Sequence, residues 1–234
     1  MKLQGLPVLR DFFASAIWVL FTAYLPLISP VAAPVLGGDI SAMLAVTTGG
    51  LLVMAWLCEL LGGACFNPVV SASLAAARKE PPGRALCRMA FQTLGGVSAG
   101  YAAVVLRGVG NLGSLAGGVV PGTSITQGAV CEFILSFLSC AVIVSTIGMK
   151  NKGMMLAYQF GATLLLILGG MDYTGPSMNP AVTFCWFWHL KGHDALEHAV
   201  VFWAGPLAGS ILAGLLAREP KVTAPRGRRK AKAM

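Results

Sequence analysis

The segment MDYTGPSMNPA, residues 171–181, decides the fold that this sequence predicts. Its last three residues, Asn179-Pro180-Ala181, begin an apolar run that is too short to cross a bilayer. As a helix, about eleven residues measure about 16 Å, against about 30 Å of hydrocarbon. Asparagine is a favoured N-cap and proline a favoured first helical residue, so we predict a half-helix over residues 179–189. Asn67-Pro68-Val69 begins a similar run, which predicts a second half-helix over residues 67–77.

The composition places the rest of the chain in a membrane. Of 234 residues, 56% are hydrophobic and 11% are charged, whereas a soluble domain has about 25% charged residues. A net charge of +8 would suit a nucleic-acid-binding protein, but the long apolar runs indicate lipid as the solvent. We therefore expect an integral membrane protein without a nucleic-acid partner. The six cysteines lie in or beside apolar runs without a CxxC pair, which predicts buried small side chains rather than a disulfide framework.

Six apolar runs are long enough to span the membrane. They are continuously apolar, which favours helices over the alternating strands of a barrel. Fifteen of the 17 Lys and Arg residues fall on the side that holds both termini, so the positive-inside rule places both termini in the cytosol. Arg107 and Lys191 fall on the opposite side, where residues 31–39 and 108–122 are predicted loops. The predicted spans are residues 11–29, 40–61, 85–106, 127–148, 153–171 and 199–217.

The two halves of the chain form an inverted repeat. Each half has an acid-Phe pair in its first span (Asp11-Phe12 and Glu132-Phe133), then two more spans, with the half-helix between them. Because each half has an odd number of spans, the second half is inserted in the opposite orientation to the first. The two half-helices therefore enter from opposite faces and meet near the midplane. We therefore predict an all-α membrane protein with six transmembrane helices and two half-helices. The channel domain covers residues 1–218, and a disordered basic cytosolic tail covers residues 219–234.

At these residues the sequence resembles the aquaporin, or major intrinsic protein, family. Within the family it is most similar to the plant and algal small basic intrinsic proteins. This similarity rests on the short chain, Asp11 in place of Glu, the altered motif Asn67-Pro68-Val69 and the basic tail. The resemblance implies a water channel that could also admit small neutral solutes, with no enzyme activity, cofactor or metal. It also implies a homotetramer in the endoplasmic reticulum, and Lys230 and Lys232 have the spacing of a dilysine retrieval signal.

The side-chain amides of Asn67 and Asn179 are expected at the narrow midpoint of the pore. Both would donate hydrogen bonds to the oxygen of a passing water molecule. The positive N-terminal ends of the two half-helices would repel cations, including hydronium. The resemblance assigns the buried acids Asp11 and Glu132 to the support of the half-helix loops. The residues of the two motifs are Asn67, Pro68, Val69, Asn179, Pro180 and Ala181.

The resemblance also implies a second constriction on the non-cytosolic side. Carried over by spacing from the two motifs, its four positions are Thr47, Ile167, Pro176 and Val182. Water-specific relatives have an aromatic residue, a histidine, a small residue and an arginine there, so this filter lacks the arginine. An apolar ring could slow water by partial dewetting or admit less polar neutral solutes. Ion exclusion would then depend more strongly on the half-helix dipoles.

Two other functions stay open at this point. A secondary transporter can also be built from inverted repeats and broken helices, but Asp11, Glu59 and Glu132 are too scattered for an ion-coupling cluster. Flux that saturates or follows an ion gradient would identify it. A non-conducting structural protein of the endoplasmic reticulum would fit the missing filter arginine, and vesicles that fail to swell would identify it.

Three local features accompany the main prediction. Glu59, at the end of the second span, could face water, pair with a basic residue or line the vestibule. The three histidines on the non-cytosolic side, His189, His193 and His198, predict a solvated loop rather than a metal site or a pH sensor. Two pairs of glycines four residues apart, 96/100 and 205/209, predict close helix contacts within one subunit.

Overall fold

The computed structural model describes residues 7–218, and these residues form helices and connecting loops without a strand. The helices are α1 (Pro7–Leu36), α2 (Asp39–Leu60), α3 (Pro68–Ala76), α4 (Pro82–Arg107), α5 (Ile125–Thr146), α6 (Lys152–Gly170), α7 (Pro180–Leu190) and α8 (Ala195–Leu216). A short 3-10 helix, Val109–Leu115, follows α4, and α8 contains a π-helical segment at Val200–Ala204. The tail, with Lys230 and Lys232, lies outside the described residues.

The architecture confirms the predicted fold. Six helices are long and apolar enough to cross a membrane, while α3 and α7 have only 9 and 11 residues. In the first half α1 packs on α4, and in the second half α5 packs on α8. Each half-helix then crosses over: α3 packs on α8, and α7 packs on α4. The two halves are therefore interlocked around the meeting point of the half-helices.

Equivalent glycines permit the close packing in each half. A Cβ atom on Gly95 of α4 would overlap the carbonyl group of Phe12, and one on Gly209 of α8 would overlap that of Phe133. A Cβ atom on Gly96 would lie 2.9 Å from the carbonyl oxygen of Ala181 in α7. Cβ atoms on the other two glycines of the predicted pairs, Gly100 and Gly205, would meet Cys185 and Ala129, so both pairs pack within the chain as predicted.

Basic side chains connect several helix ends at one end of the molecule. Arg10, near the start of α1, donates from Nη1 to the carbonyl oxygen of Leu61 after α2, at 2.9 Å. Arg218, after α8, donates from Nε to the carbonyl oxygen of Ala76 at the end of α3, at 2.6 Å. The start of the first span therefore lies beside the end of the second, and the end of the sixth lies beside the end of the first half-helix.

The first span is longer than predicted. Residues 31–36 of the predicted loop continue α1, although this helix contains Pro26, Pro30 and Pro34. Proline usually ends a helix because it lacks an N–H group and its ring crowds the preceding turn. Here the prolines are spaced by four residues, so the missing hydrogen bonds lie along nearly the same side of α1. Membrane helices tolerate such gaps where neighbouring groups compensate.

The start of the third span and the state of the cysteines can also be compared with the sequence predictions. The third span begins at Pro82, three residues earlier than predicted, which places Arg88 within its first two turns. All six cysteines are free, which agrees with the expected absence of a disulfide framework. Cys140 and Cys185 are fully buried, but Cys87 is exposed.

We predict that Gly209→Ala destabilises the folded protein by about 1–3 kcal/mol, because the added methyl group forces α8 away from α5. Gly161→Ala is the matched control, since a Cβ atom at this helical position in α6 would meet nothing within 4 Å. Thermal unfolding of the detergent-purified variants measures the difference. Equal midpoints for the two variants would contradict the packing argument.

Candidate functional site

The two motif asparagines start the two half-helices. Asn67 Oδ1 accepts a hydrogen bond from the backbone N–H of Val69 at 3.1 Å, and Asn179 Oδ1 accepts one from Ala181 at 3.1 Å. Proline, the first residue of each half-helix, has no N–H group, so the next residue is the first available donor. This confirms the N-caps that the sequence predicts.

The same two side chains also bridge the two halves of the chain. Asn67 Nδ2 donates to the carbonyl oxygen of Met178 at 2.8 Å, and Asn179 Nδ2 donates to that of Phe66 at 3.2 Å. Each amide thus binds the residue immediately before the other asparagine, which brings the two helix N-termini together. An amide NH₂ group carries two hydrogens, and the contact across the interface uses one of them.

The other motif residues are packing residues. Val69 is buried against Cys140 and Ala213, and Pro68, Pro180 and Ala181 are also buried. Asn179 is 4% exposed, whereas Asn67 is only partly buried. The motifs therefore combine two polar amides with a tightly packed apolar support.

Glu132 holds the loop before α7. It is fully buried in α5. Its Oε1 accepts hydrogen bonds from Thr174 Oγ1 at 2.8 Å and from the N–H of Ser177 at 3.1 Å, while Oε2 accepts from the N–H of Met178 at 3.0 Å. Met178 has a φ of 47°, which is unusual for a residue other than glycine. Because Glu132 holds its N–H and Asn67 holds its carbonyl group, this strained conformation is fixed from both sides.

Asp11 holds the loop before α3 in a different way. It is fully buried in α1, and its Oδ1 accepts from the N–H of Cys65 at 2.8 Å. Arg88 of α4 forms an ion pair with Asp11 through Nε and also contacts Glu80 through Nη1 at 3.1 Å. Gln92, one turn further along α4, donates to Asp11 Oδ2 at 3.4 Å.

Sequence analysis missed the parts that Arg88, Glu80 and Gln92 play. In the sequence, Arg88 counts only as one of the fifteen basic residues on the cytosolic side, although a buried ionisable residue in a span usually has a specific partner. The four-residue spacing of Arg88 and Gln92 places them on one face of α4, and this was the available signal. Their partner Asp11 is 77 residues from Arg88, a distance in sequence that local patterns do not reveal.

The four predicted filter positions lie on three helices and on the loop before α7. Thr47 is buried in α2 and Ile167 is partly buried in α6, two helices that contact each other. Pro176 and Val182 flank the second motif, and Val182 packs against the buried cluster that includes Trp186. Their grouping into one ring stays a prediction.

His193 and His198 belong to an aromatic cluster with Phe187, in place of the predicted solvated surroundings. His198 is 4% exposed and stacks on Phe187 with ring centroids 4.2 Å apart. Its Nδ1 lies 3.0 Å from His193 Nε2, and its Nε2 accepts from Trp203 Nε1 at 3.1 Å. His189 belongs to α7, with Nε2 2.9 Å from the carbonyl oxygen of Val97. The prediction is wrong because α8 begins before His198 and carries it against the end of α7.

Glu59 is exposed at the end of α2. Of the three alternatives for this residue, contact with water is the one that exposure favours.

Comparisons with known proteins agree on one family. The sequence profile described as "Major intrinsic protein" matches residues 6–217. "Aquaporin SIP1-1" of Zea mays is 32% identical over 221 residues, 89% of this chain and 89% of that protein. "Aquaporin SIP1-1" of Arabidopsis thaliana is 30% identical over 222 residues, with 89% of each chain covered. The X-ray structure of the aquaglyceroporin from Plasmodium falciparum superposes with a TM-score of 0.70 at 17% identity, covering 88% of this chain and 92% of that one.

We predict that Glu132→Gln destabilises the protein by about 2–3 kcal/mol, because an amide replaces charge-assisted acceptors and its NH₂ group faces other donors. Glu59→Gln is the matched control on an exposed glutamate. Thermal unfolding in detergent measures both variants. If Glu132→Gln melted like Glu59→Gln, the hydrogen bonds of Glu132 to this loop would contribute nothing to stability.

Proposed function

Because this chain belongs to the major intrinsic protein family, we propose that it conducts water passively between its two Asn-Pro motifs. Members of the family are membrane channels for water or small solutes and not enzymes. The observation that carries the finer proposal is the reciprocal bonding of the Asn67 and Asn179 amides to the carbonyl groups of Met178 and Phe66. It fixes two donor groups beside each other where the half-helices meet.

The proposed mechanism uses the hydrogen that remains on each amide. A permeating water molecule accepts from both amides through its oxygen, which points its own hydrogens towards the water molecules on either side. The N-terminal ends of α3 and α7 each contribute a positive end equivalent to about half a charge. Cations are repelled there, while a neutral water molecule exchanges hydrogen bonds and passes.

Asp11 and Glu132 keep the two amides in place in this mechanism. Both carboxylates are buried and accept hydrogen bonds from the backbone of the half-helix loops. A loop that is bound in this way needs no reorganisation when water arrives. The site residues proposed for conduction are therefore the two asparagines, with the carboxylates as their support.

We propose that Thr47, Ile167, Pro176 and Val182 form the second constriction. A ring without a fixed charge would pass less polar neutral solutes as well as water. Selectivity against ions would then reside mainly at the two asparagines.

The two alternatives differ from this proposal in measurable ways. In a secondary transporter, buried acids bind the coupling ion, but Glu132 is occupied by three loop donors and Asp11 by Arg88 and Cys65. A non-conducting structural protein would need a sealed centre. Osmotic swelling of proteoliposomes, followed by stopped-flow light scattering, separates the proposals. Swelling above that of protein-free vesicles, without saturation or dependence on an ion gradient, supports the channel.

We also propose the cellular arrangement: a homotetramer with one pore per subunit, in the endoplasmic reticulum membrane, with both termini in the cytosol. The contacts of Arg10 and Arg218 at one end of the helices support the shared side of the termini. Exposed apolar side chains on α2, including Trp56 at 64% exposure, suit lipid or a second subunit.

We predict that Asn67→Asp and Asn179→Asp each lower water permeability per channel by at least about tenfold. A carboxylate cannot donate, so both the contact across the interface and the donor to water are lost. Asn151→Asp is the matched control, because Asn151 caps α6 through its oxygen only, and aspartate caps equally well. Stopped-flow swelling, normalised to reconstituted protein, measures the effect. Unchanged swelling in either motif variant would refute its assigned role.

We predict that Val182→Arg narrows the range of permeating solutes, since a guanidinium group adds volume, charge and donors to the filter. The ratio of glycerol to water permeability should fall by about tenfold, whereas Val182→Leu, without the charge, should change it much less. Light scattering with each solute measures the ratio. Equal ratios in Val182→Arg and the wild type would show that Val182 does not line the pathway.

A further inference from the structure

The two half-helix loops are held by different chemistry, although the fold repeats. Glu132 alone accepts from two backbone N–H groups of its loop, those of Ser177 and Met178. Asp11 is one methylene group shorter and accepts from one, that of Cys65. The first loop therefore has fewer bonds to its carboxylate than the second.

Side chains of α4 supply further bonds to the first loop. Arg88 donates from Nη2 to the carbonyl oxygen of Gly63 at 3.0 Å, while it also binds both oxygens of Asp11. Gln92 donates from Nε2 to the carbonyl oxygen of Cys65 at 3.2 Å. The carboxylate of Asp11 thus accepts from a backbone N–H group of this loop, and the side chains of α4 donate to its carbonyl groups.

Gln92 also reaches the other side of Asn67. Its Nε2 lies 2.9 Å from Ser71 Oγ in α3, and the N–H of Ser71 donates to the carbonyl oxygen of Asn67 at 3.3 Å. Cys65 precedes Asn67 by two residues, so one fully buried amide connects the two flanks of the motif. A small shift of Gln92 would therefore displace Asn67.

Within the described residues of α8, no polar side chain occupies the places that correspond to Arg88 and Gln92. Gly95 and Gly209 occupy equivalent places, each against the carbonyl group of the phenylalanine that follows the buried acid. Counted from Gly209 as Arg88 and Gln92 are counted from Gly95, the corresponding residues of α8 are Phe202 and Pro206, both apolar and buried. The α4 residues are thus specific to the first loop, where the shorter acid stands.

We propose that Arg88 and Gln92 are positioning residues for the Asn67 amide, which they hold towards the permeating water by binding the carbonyl side of the first loop. This inference rests on the proposed function, because it assigns Asn67 as a donor to water. Arg88 also neutralises the buried Asp11, and Glu80 contacts the same guanidinium group at Nη1. Neither residue needs to touch water for this purpose.

Gln92→Leu tests the proposal, because leucine keeps a similar volume and removes every hydrogen bond. Arg88→Lys is the second variant, since an ammonium group keeps the charge but cannot bind Asp11, Glu80 and Gly63 in one fork. Arg84→Gln, on an exposed arginine one turn earlier in α4, is the matched control. Two readouts are taken on the full-length protein: amide hydrogen exchange by mass spectrometry, and water permeability per reconstituted channel.

We expect Gln92→Leu to accelerate exchange in residues 62–67 by about tenfold, while residues 174–179 exchange as in the wild type. Water permeability per channel should fall by about fivefold or more. Arg88→Lys should act in the same direction, and Arg84→Gln should change neither readout.

Three results would overturn the proposal: no change in exchange, equal acceleration in both loops, or selective loosening of the first loop with unchanged permeability. Equal acceleration would indicate a general loss of stability. If wild-type vesicles swell no faster than protein-free ones, the proposed function fails separately. In that case the exchange rates of the two loops still test whether Arg88 and Gln92 position the first loop.

Discussion

Two amide–carbonyl hydrogen bonds cross the centre of this molecule, from Asn67 to Met178 and from Asn179 to Phe66. They join irregular backbone that would otherwise carry unpaired polar groups at the depth of the membrane midplane. Because each asparagine also starts its own half-helix, one side chain fixes the local turn and the contact between the repeats. The buried acids, the close glycine contacts and the crossed packing of α3 and α7 all serve to keep these two bonds formed.

The repeat is symmetric in its backbone and asymmetric in its chemistry. In the second half a glutamate reaches its loop directly and holds Met178 in a strained conformation. In the first half a shorter aspartate is assisted by Arg88 and Gln92. An ion pair in a membrane interior is costly, and removing either partner would leave a buried charge uncompensated. The first loop is therefore bound by a guanidinium group and an amide of α4 as well as by the carboxylate of Asp11, whereas α5 binds the second loop through the carboxylate of Glu132.

Local chemistry explains how much of this could be predicted from the sequence. An N-cap asparagine followed by proline favours the start of a helix, and the short apolar run that follows limits its length, so the half-helices at Asn67 and Asn179 could be predicted from the sequence. The spans followed from length and hydropathy alone. The partner of Arg88 could not be predicted from the sequence, because its contact with Asp11 depends on how α1 and α4 pack. The continuation of α1 through three prolines and the burial of His198 against Phe187 also depend on neighbouring helices, which override the local signals at Pro30 and in the histidine-rich segment.

The crossed packing of the half-helices has a consequence for biosynthesis. The first half-helix rests on α8, and Arg218 binds Ala76 from 142 residues further along the chain. When the ribosome has completed the first three spans, α8, which packs on α3 in the folded protein, has therefore not yet been synthesised. Contacts so remote in sequence close late and at an entropic cost. The fold can therefore be completed only after the last span has been inserted. A chain that is truncated before α8 lacks the helix on which α3 packs.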